Sequence, residues 1–127
     1  MTITVVDASA LGALLFAEPE GADVLLRLEG NRLLAPLILP FEITNICLTK
    51  CRRFPAHRAD LVAKLAVFDQ MNIELREVRQ ADVFLLAESA RLSSYDASYL
   101  WLARQLDAAL VTLDSDLASA HALLRRS

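Results

Sequence analysis

At 127 residues the chain has the length of one domain, and its 55% hydrophobic and 23% charged residues exclude disorder of the chain as a whole. A formal net charge of −3 excludes a uniform cationic coat, though not a local basic patch beside an acidic, metal-filled site. No charge-free stretch approaches the roughly 20 apolar residues that span a bilayer, and the N-terminus lacks the basic n-region of a signal peptide. A cytoplasmic protein is therefore expected, with Cys47 and Cys51 as unpaired thiols on one helix face.

Ile3-Thr4-Val5-Val6 is short, apolar and β-branched, as suits a buried parallel strand. It meets Asp7-Ala8-Ser9, where Asp or Ser caps a helix carrying Ala10, Leu11, Leu14 and Leu15. A second helix is expected over Gly21 to Leu28, and a strand over Leu33 to Ala35, ended by Pro36. Helix returns from about Leu37, with Ile43, Ile46 and Cys47 inward, and again from Pro55, with Leu61, Val62, Leu65 and Phe68 inward. Ile73-Glu74-Leu75 reads as a strand, Gln80 to Leu92 as a helix, and Ser94 as the N-cap of a helix through Leu106. Ala109 to Thr112 is the last strand and Leu117 to Arg125 a closing helix. Short apolar strands alternating with amphipathic helices define an α/β fold: one domain over 1–127, a doubly wound, mostly parallel sheet of four to five strands.

In such sheets, sites form beyond the carboxyl ends of strands. Two strands end at aspartates, Val5-Val6-Asp7 and Val111-Thr112-Leu113-Asp114, which places both carboxylates on one sheet edge. Glu42 and Asp96 lie among apolar or small residues, where a charge needs a partner or a metal. Taken singly, Asp7 and Asp96 are equally explained as helix-cap or first-turn acids, Glu42 as a first-turn acid and Asp114 as a turn residue. Taken together, clustered carboxylates repel one another, and a divalent cation relieves that repulsion. Mg²⁺ prefers oxygen ligands and keeps waters, which is the chemistry of metal-assisted phosphodiester cleavage.

Four segments carry a family resemblance: Val6-Asp7-Ala8-Ser9, Pro40-Phe41-Glu42-Ile43-Thr44-Asn45, Tyr95 through Ala103, and Leu110-Val111-Thr112-Leu113-Asp114. In this order and spacing the chain resembles the PIN-domain nucleases, specifically the toxin ribonucleases of VapBC toxin–antitoxin pairs. The resemblance implies that Asp7, Glu42, Asp96 and Asp114 are catalytic metal ligands, with Asp116 as an accessory ligand. Ser9, Asn45 and Thr112 match positions that orient ligands or water. It further implies Mg²⁺, with Mn²⁺ as a substitute, an RNA substrate, a homodimer and a cognate antitoxin. The family usually adds a short strand after the last helix, and Leu124-Arg125-Arg126-Ser127 offers none, a departure that bears on the sheet edge.

Lys50, Arg52 and Arg53 form a basic stretch that either meets RNA phosphates or is a solvated helix end favoured by the dipole. Cys47, Cys51 and His57 lack a fourth zinc ligand at a recognised spacing. Trp101, Tyr99 and Phe68 fit core or dimer packing better than base stacking. A receiver module would need a late strand-end lysine, and no lysine follows Lys64; a haloacid-dehalogenase-like phosphatase would need a second aspartate where Ser9 stands. An RNA-maturation PIN nuclease without antitoxin and a non-catalytic interaction module are the remaining alternatives.

Overall fold

The computed structural model describes residues 2–126, the last by its backbone alone. Four strands, β1 (Ile3–Val6), β2 (Arg32–Pro36), β3 (Ile73–Arg76) and β4 (Ala109–Val111), form a wholly parallel sheet in the order β3-β2-β1-β4. The chain winds outward from β1 through β2 to β3, then crosses back to place β4 on the other side of β1. Right-handed crossovers put the helices of these two excursions on opposite faces. The first set, α1 (Ala8–Leu15), α2 (Gly21–Leu28), α3 (Leu39–Arg53) and α4 (Arg58–Phe68), packs together. So does the second, α5 (Gln80–Ala90), α6 (Ser94–Gln105) and α7 (Ser115–Arg126).

The α/β sheet expected from the alternation is present, with four strands among the described residues. A fifth strand in the last residues is not found there: α7 runs to Arg126, and Ser127 lies outside the described residues. Val5 and Val6 are sealed between the two layers with Leu11, Val24 and Ile43 on one side and Leu100 and Leu117 completing the same core. Removing these side chains from water at about 25 cal/mol per Å² is the main force closing the layers on the sheet.

Several boundaries shift for local reasons. Ser93, not Ser94, caps α6, its hydroxyl accepting from the Asp96 N–H at 3.1 Å. Helix α5 stops at Ala90 because Arg91 adopts a left-handed conformation (φ 57°), and the Leu92 N–H closes back on the Ala87 carbonyl. The helix expected from Pro55 opens instead with a 3₁₀ turn, Pro55–His57, and becomes α-helical at Arg58. Strand β2 includes Pro36 as its last residue, in register with Arg76 of β3. Helix α7 begins at Ser115 rather than Leu117 because Asp114 caps it, its carboxylate accepting from the Leu117 N–H at 2.9 Å.

Gly21 sets how closely α2 approaches α1. A Cβ at this position would meet the Ala13 carbonyl oxygen at 2.6 Å, backbone that cannot rotate aside. Gly21→Ala is expected to destabilise the fold by about 1–3 kcal/mol, measured as a lowered urea midpoint at unchanged m-value.

Candidate active site

The sheet order reverses at β1, so the carboxyl ends of β1 and β4 lie side by side, with Val6 in register with Val111. The Asp7 N–H donates to the Val111 carbonyl at 3.2 Å, so the chain leaves both strands at one point. This is the topological switch point, where neighbouring connections diverge to opposite faces and leave a crevice.

Asp7 is nearly fully buried, at 4% exposure, and it caps α1. Its Oδ1 accepts from the Ala10 N–H at 3.0 Å and from the Ser9 hydroxyl at 2.8 Å; its Oδ2 accepts from the Thr112 hydroxyl. Thr112 in turn accepts from the Asp114 N–H at 3.0 Å, and Ser9 from the Leu113 N–H at 3.0 Å. Ser9 and Thr112 thus each hydrogen-bond to Asp7 and to the turn that bears Asp114. Capping and site-building are not alternatives for these residues, because the same carboxylates do both.

Asp7, Ser9, Glu42, Asn45, Asp96 and Asp114 line one cavity of about 600 Å³, with Phe41, Tyr95 and Tyr99 among the other wall residues. Glu42 comes from the first turn of α3 and Asp96 from the first turn of α6. Burial pushes the Asp7 carboxyl above the usual carboxylate range, outweighing its hydrogen bonds, and nearby Asp114 adds to the rise. Burial likewise raises Glu42, against the Tyr99 hydroxyl, with Asp96 and Asp7 adding. Asp96 is raised by burial and then by Asp114, Asp7 and Asp116. The acids feel one another's charge, and among the described residues no lysine, arginine or histidine lines the cavity. Among the described residues, no three acidic, histidine or cysteine side chains lie close enough to hold a metal ion where they stand. The donor set nevertheless fits a hard divalent cation: carboxylate oxygens supported by hydroxyls and an amide, with no sulfur or imidazole.

The other expected residues are placed differently. Asp116 does not line the acid cavity; it borders a separate cleft with Leu86, Leu92 and Leu123 and reaches Asp96 only through its field. Lys50 and Arg53 line a neighbouring groove that shares Ser9, Asn45 and Ile46 with the acid cavity, while Arg52 lines neither. Lys50 is paired with Glu18, and Arg53 packs on the Phe54 ring at 5.3 Å. Cys47 and Cys51 are free thiols, Cys47 buried and directed at the Leu61 carbonyl.

One residue of the site escapes the sequence pattern. Tyr99 is core, at 1% exposure, yet its hydroxyl donates to Glu42 Oε1 at 2.6 Å, which ties α6 to α3. Both burial and the Glu42 carboxylate push the phenol far above its ordinary value, so it stays a donor. The available signal was that a tyrosine buried on a helix needs a partner for its hydroxyl.

Two stability predictions follow from these contacts. Tyr99→Phe keeps the ring and removes the charge-assisted bond, with an expected cost of about 1.5–3 kcal/mol in denaturant titrations. Because folding raises the Asp7 pKa, its ionised form opposes the fold above that raised value, and the penalty fades as pH falls toward the unfolded value of about 3.9. In chelator, Asp7→Asn is expected to exceed wild type by about 1 kcal/mol at pH 7.5. That gap should close as the pH approaches 4; a gap independent of pH would contradict the burial argument.

A family model of the PIN domain matches residues 4–123. No curated protein matches the chain. Among solved structures, PAE2754 from Pyrobaculum aerophilum is similar at 25% identity and a TM-score of 0.76, covering 98% of this chain and 94% of that one. VapC20 from Mycobacterium tuberculosis, named a Sarcin-Ricin loop cleaving toxin, is similar in fold at 20% identity and a TM-score of 0.65, covering 92% and 94%. With the match spanning nearly every element from β1 to α7, the chain belongs to the PIN domain family, a family of nucleases.

Proposed function

We propose that this protein is a metal-dependent endoribonuclease and the toxin of a type II toxin–antitoxin pair. The observation that carries the catalytic part is the cavity at the switch point, lined by Asp7, Glu42, Asp96 and Asp114 from four separate parts of the chain and, among the described residues, by no cationic side chain. Support for the toxin reading is the likeness to VapC20, a protein named as a Sarcin-Ricin loop cleaving toxin.

The four carboxylates would hold Mg²⁺, or Mn²⁺ in its place. Bound there, the ion would neutralise the phosphodiester and acidify a water, the two contributions that make phosphodiester hydrolysis accessible near neutral pH. The protein's own part is to hold the acids at fixed positions. Asp7 is held from three directions by Ala10, Ser9 and Thr112, and Glu42 is held by Tyr99. Asn45, three residues beyond Glu42 on the same helix, puts an amide donor and acceptor into the wall beside them. Attack of such a water on phosphorus would break the bond to the 3′ oxygen, which takes up a proton, leaving 5′-phosphate and 3′-hydroxyl ends.

Arg53, exposed in the groove beside the acid cavity and without a carboxylate partner among the described residues, is placed to meet an RNA phosphate; Arg52, which lines neither, is the more distant candidate. Lys50 is the weaker contact, because Glu18 already neutralises it. Asp116 acts on Asp96 through its charge while lining a separate cleft, so it is the weakest of the candidate ligands. A homodimer, a cognate antitoxin and a cytoplasmic location complete the reading; no helix among the described residues is long and apolar enough to cross a membrane.

The test is cleavage of a mixed RNA pool by antitoxin-free protein with Mg²⁺, with Mn²⁺ and with chelator. Metal-dependent cutting that drops ~10²-fold or more in both Asp7→Asn and Asp96→Asn is expected. Cutting that survives chelator, or both substitutions, would refute the assignment of these acids.

A further inference from the structure

Two aromatic rings stand in water on the wall of the acid cavity. Phe41 is 73% exposed and immediately precedes Glu42; Tyr95 is 56% exposed and immediately precedes Asp96. Successive helical residues point about 100° apart, so a carboxylate turned into the cavity leaves the preceding ring beside its mouth. Neither ring contacts another aromatic or a cation among the described residues, and the Tyr95 hydroxyl has no hydrogen-bond partner there. Other exposed apolar residues, such as Phe84 and Leu85 on α5, do not line this cavity.

Phe41 also lines a second cleft of about 420 Å³, bounded by Leu37, Val78, Glu77 and Gln80. Its ring therefore separates the acid cavity from a pocket with apolar walls and polar groups at the edge. Both clefts fall within the roughly 300–1,000 Å³ of small-ligand sites. A flat ring, an apolar slot and an amide suit a nucleobase, whose faces stack and whose edge hydrogen-bonds.

We infer that Phe41 and Tyr95 are stacking platforms for unpaired nucleobases flanking the scissile phosphate, and that the cleft beyond Phe41 takes one base with Gln80 at its edge. The inference rests on the nuclease reading, and it assigns the base-facing side chains of that site. Any phosphodiester that reaches the carboxylates lies in the same cavity as these rings. A base held in a duplex has both faces covered by its neighbours and cannot stack on them.

The test uses Asp7→Asn protein, which separates binding from cutting, and a short single-stranded oligoribonucleotide carrying 2-aminopurine, whose fluorescence is quenched on stacking. Quenched binding is expected, weaker for the same sequence in a duplex. Adding Phe41→Ala or Tyr95→Ala should each weaken binding roughly 5- to 100-fold and relieve quenching, while Tyr95→Phe retains both. Both rings are exposed, so thermal melting should stay near that of the Asp7→Asn parent. Unchanged affinity and quenching in both alanine variants, equal binding of duplex, or no oligoribonucleotide binding would overturn the inference. A fall in sedimentation mass for Phe41→Ala with unchanged oligonucleotide binding would also overturn it, assigning the ring to a protein interface. Metal-dependent cutting by otherwise wild-type protein that is indifferent to both alanines sinks only the stacking proposal. Failure of the unsubstituted protein to cut any RNA sinks the nuclease reading, and the quenching then decides base binding alone.

Discussion

The pairing of β1 with β4 is the constraint on which the site depends. It brings the chain's residues near 7 and near 112 together across more than a hundred positions of sequence, and the Asp7 N–H bonded to the Val111 carbonyl marks where the two strands part. From there α1 leaves on one side and the Thr112–Asp114 turn leads into α7 on the other. Asp7 accepts from Thr112, Thr112 accepts from the Asp114 N–H, and Ser9 accepts from the Leu113 N–H. The Thr112 hydroxyl and the Leu113 and Asp114 N–H groups of the turn are each bonded to another group of the site. The carboxylates are thus placed by the hydrogen bonds that terminate the strands and start the helices.

Placement of this kind opposes stability. Asp7 sits where burial raises its pKa despite three hydrogen bonds; Glu42 is raised by burial and by Asp96 and Asp7, and Asp96 by burial and by Asp114, Asp7 and Asp116. A fold selected for stability alone would put a neutral side chain at one or more of these positions. The apolar core around Val5, Val6, Leu100 and Leu117 supplies the margin that tolerates the repulsion. Sites that keep like charges close are a recurrent cost of function, and they are relieved when a counterion binds.

The strand–helix alternation and the two strand-end aspartates were legible in the sequence because period and position carry them. Val5-Val6-Asp7 needs only β-branched residues followed by a capping acid to be located. Boundaries were less legible where neighbours compete. Ser93 and Ser94 are both competent N-caps, and only the Asp96 N–H bonded to Ser93 separates them. Arg91 in a left-handed conformation ends α5 at a site where glycine would have announced the stop. The distinction between Asp114 and Asp116 was equally hidden. The turn makes Asp114 the cap of α7 and a wall of the acid cavity, whereas Asp116 lines a different cleft.

Tyr99 shows a different kind of illegibility. Its place on the inner face of α6 was readable from periodicity, and that reading is correct, since the ring is buried in the core. What periodicity cannot report is that Glu42, 57 residues earlier, lies within 2.6 Å of its hydroxyl. Apolar pattern specifies which face of a helix is inside, whereas the partner of a buried polar atom depends on how two layers meet. In this fold α3 approaches from one face of the sheet and α6 from the other, and their first turns converge beyond the strand ends at the switch point. A polar link between them is possible only there, past the edge of the sheet that otherwise separates the layers. The residue that joins the two halves of the site is therefore a core residue by composition and a site residue by topology.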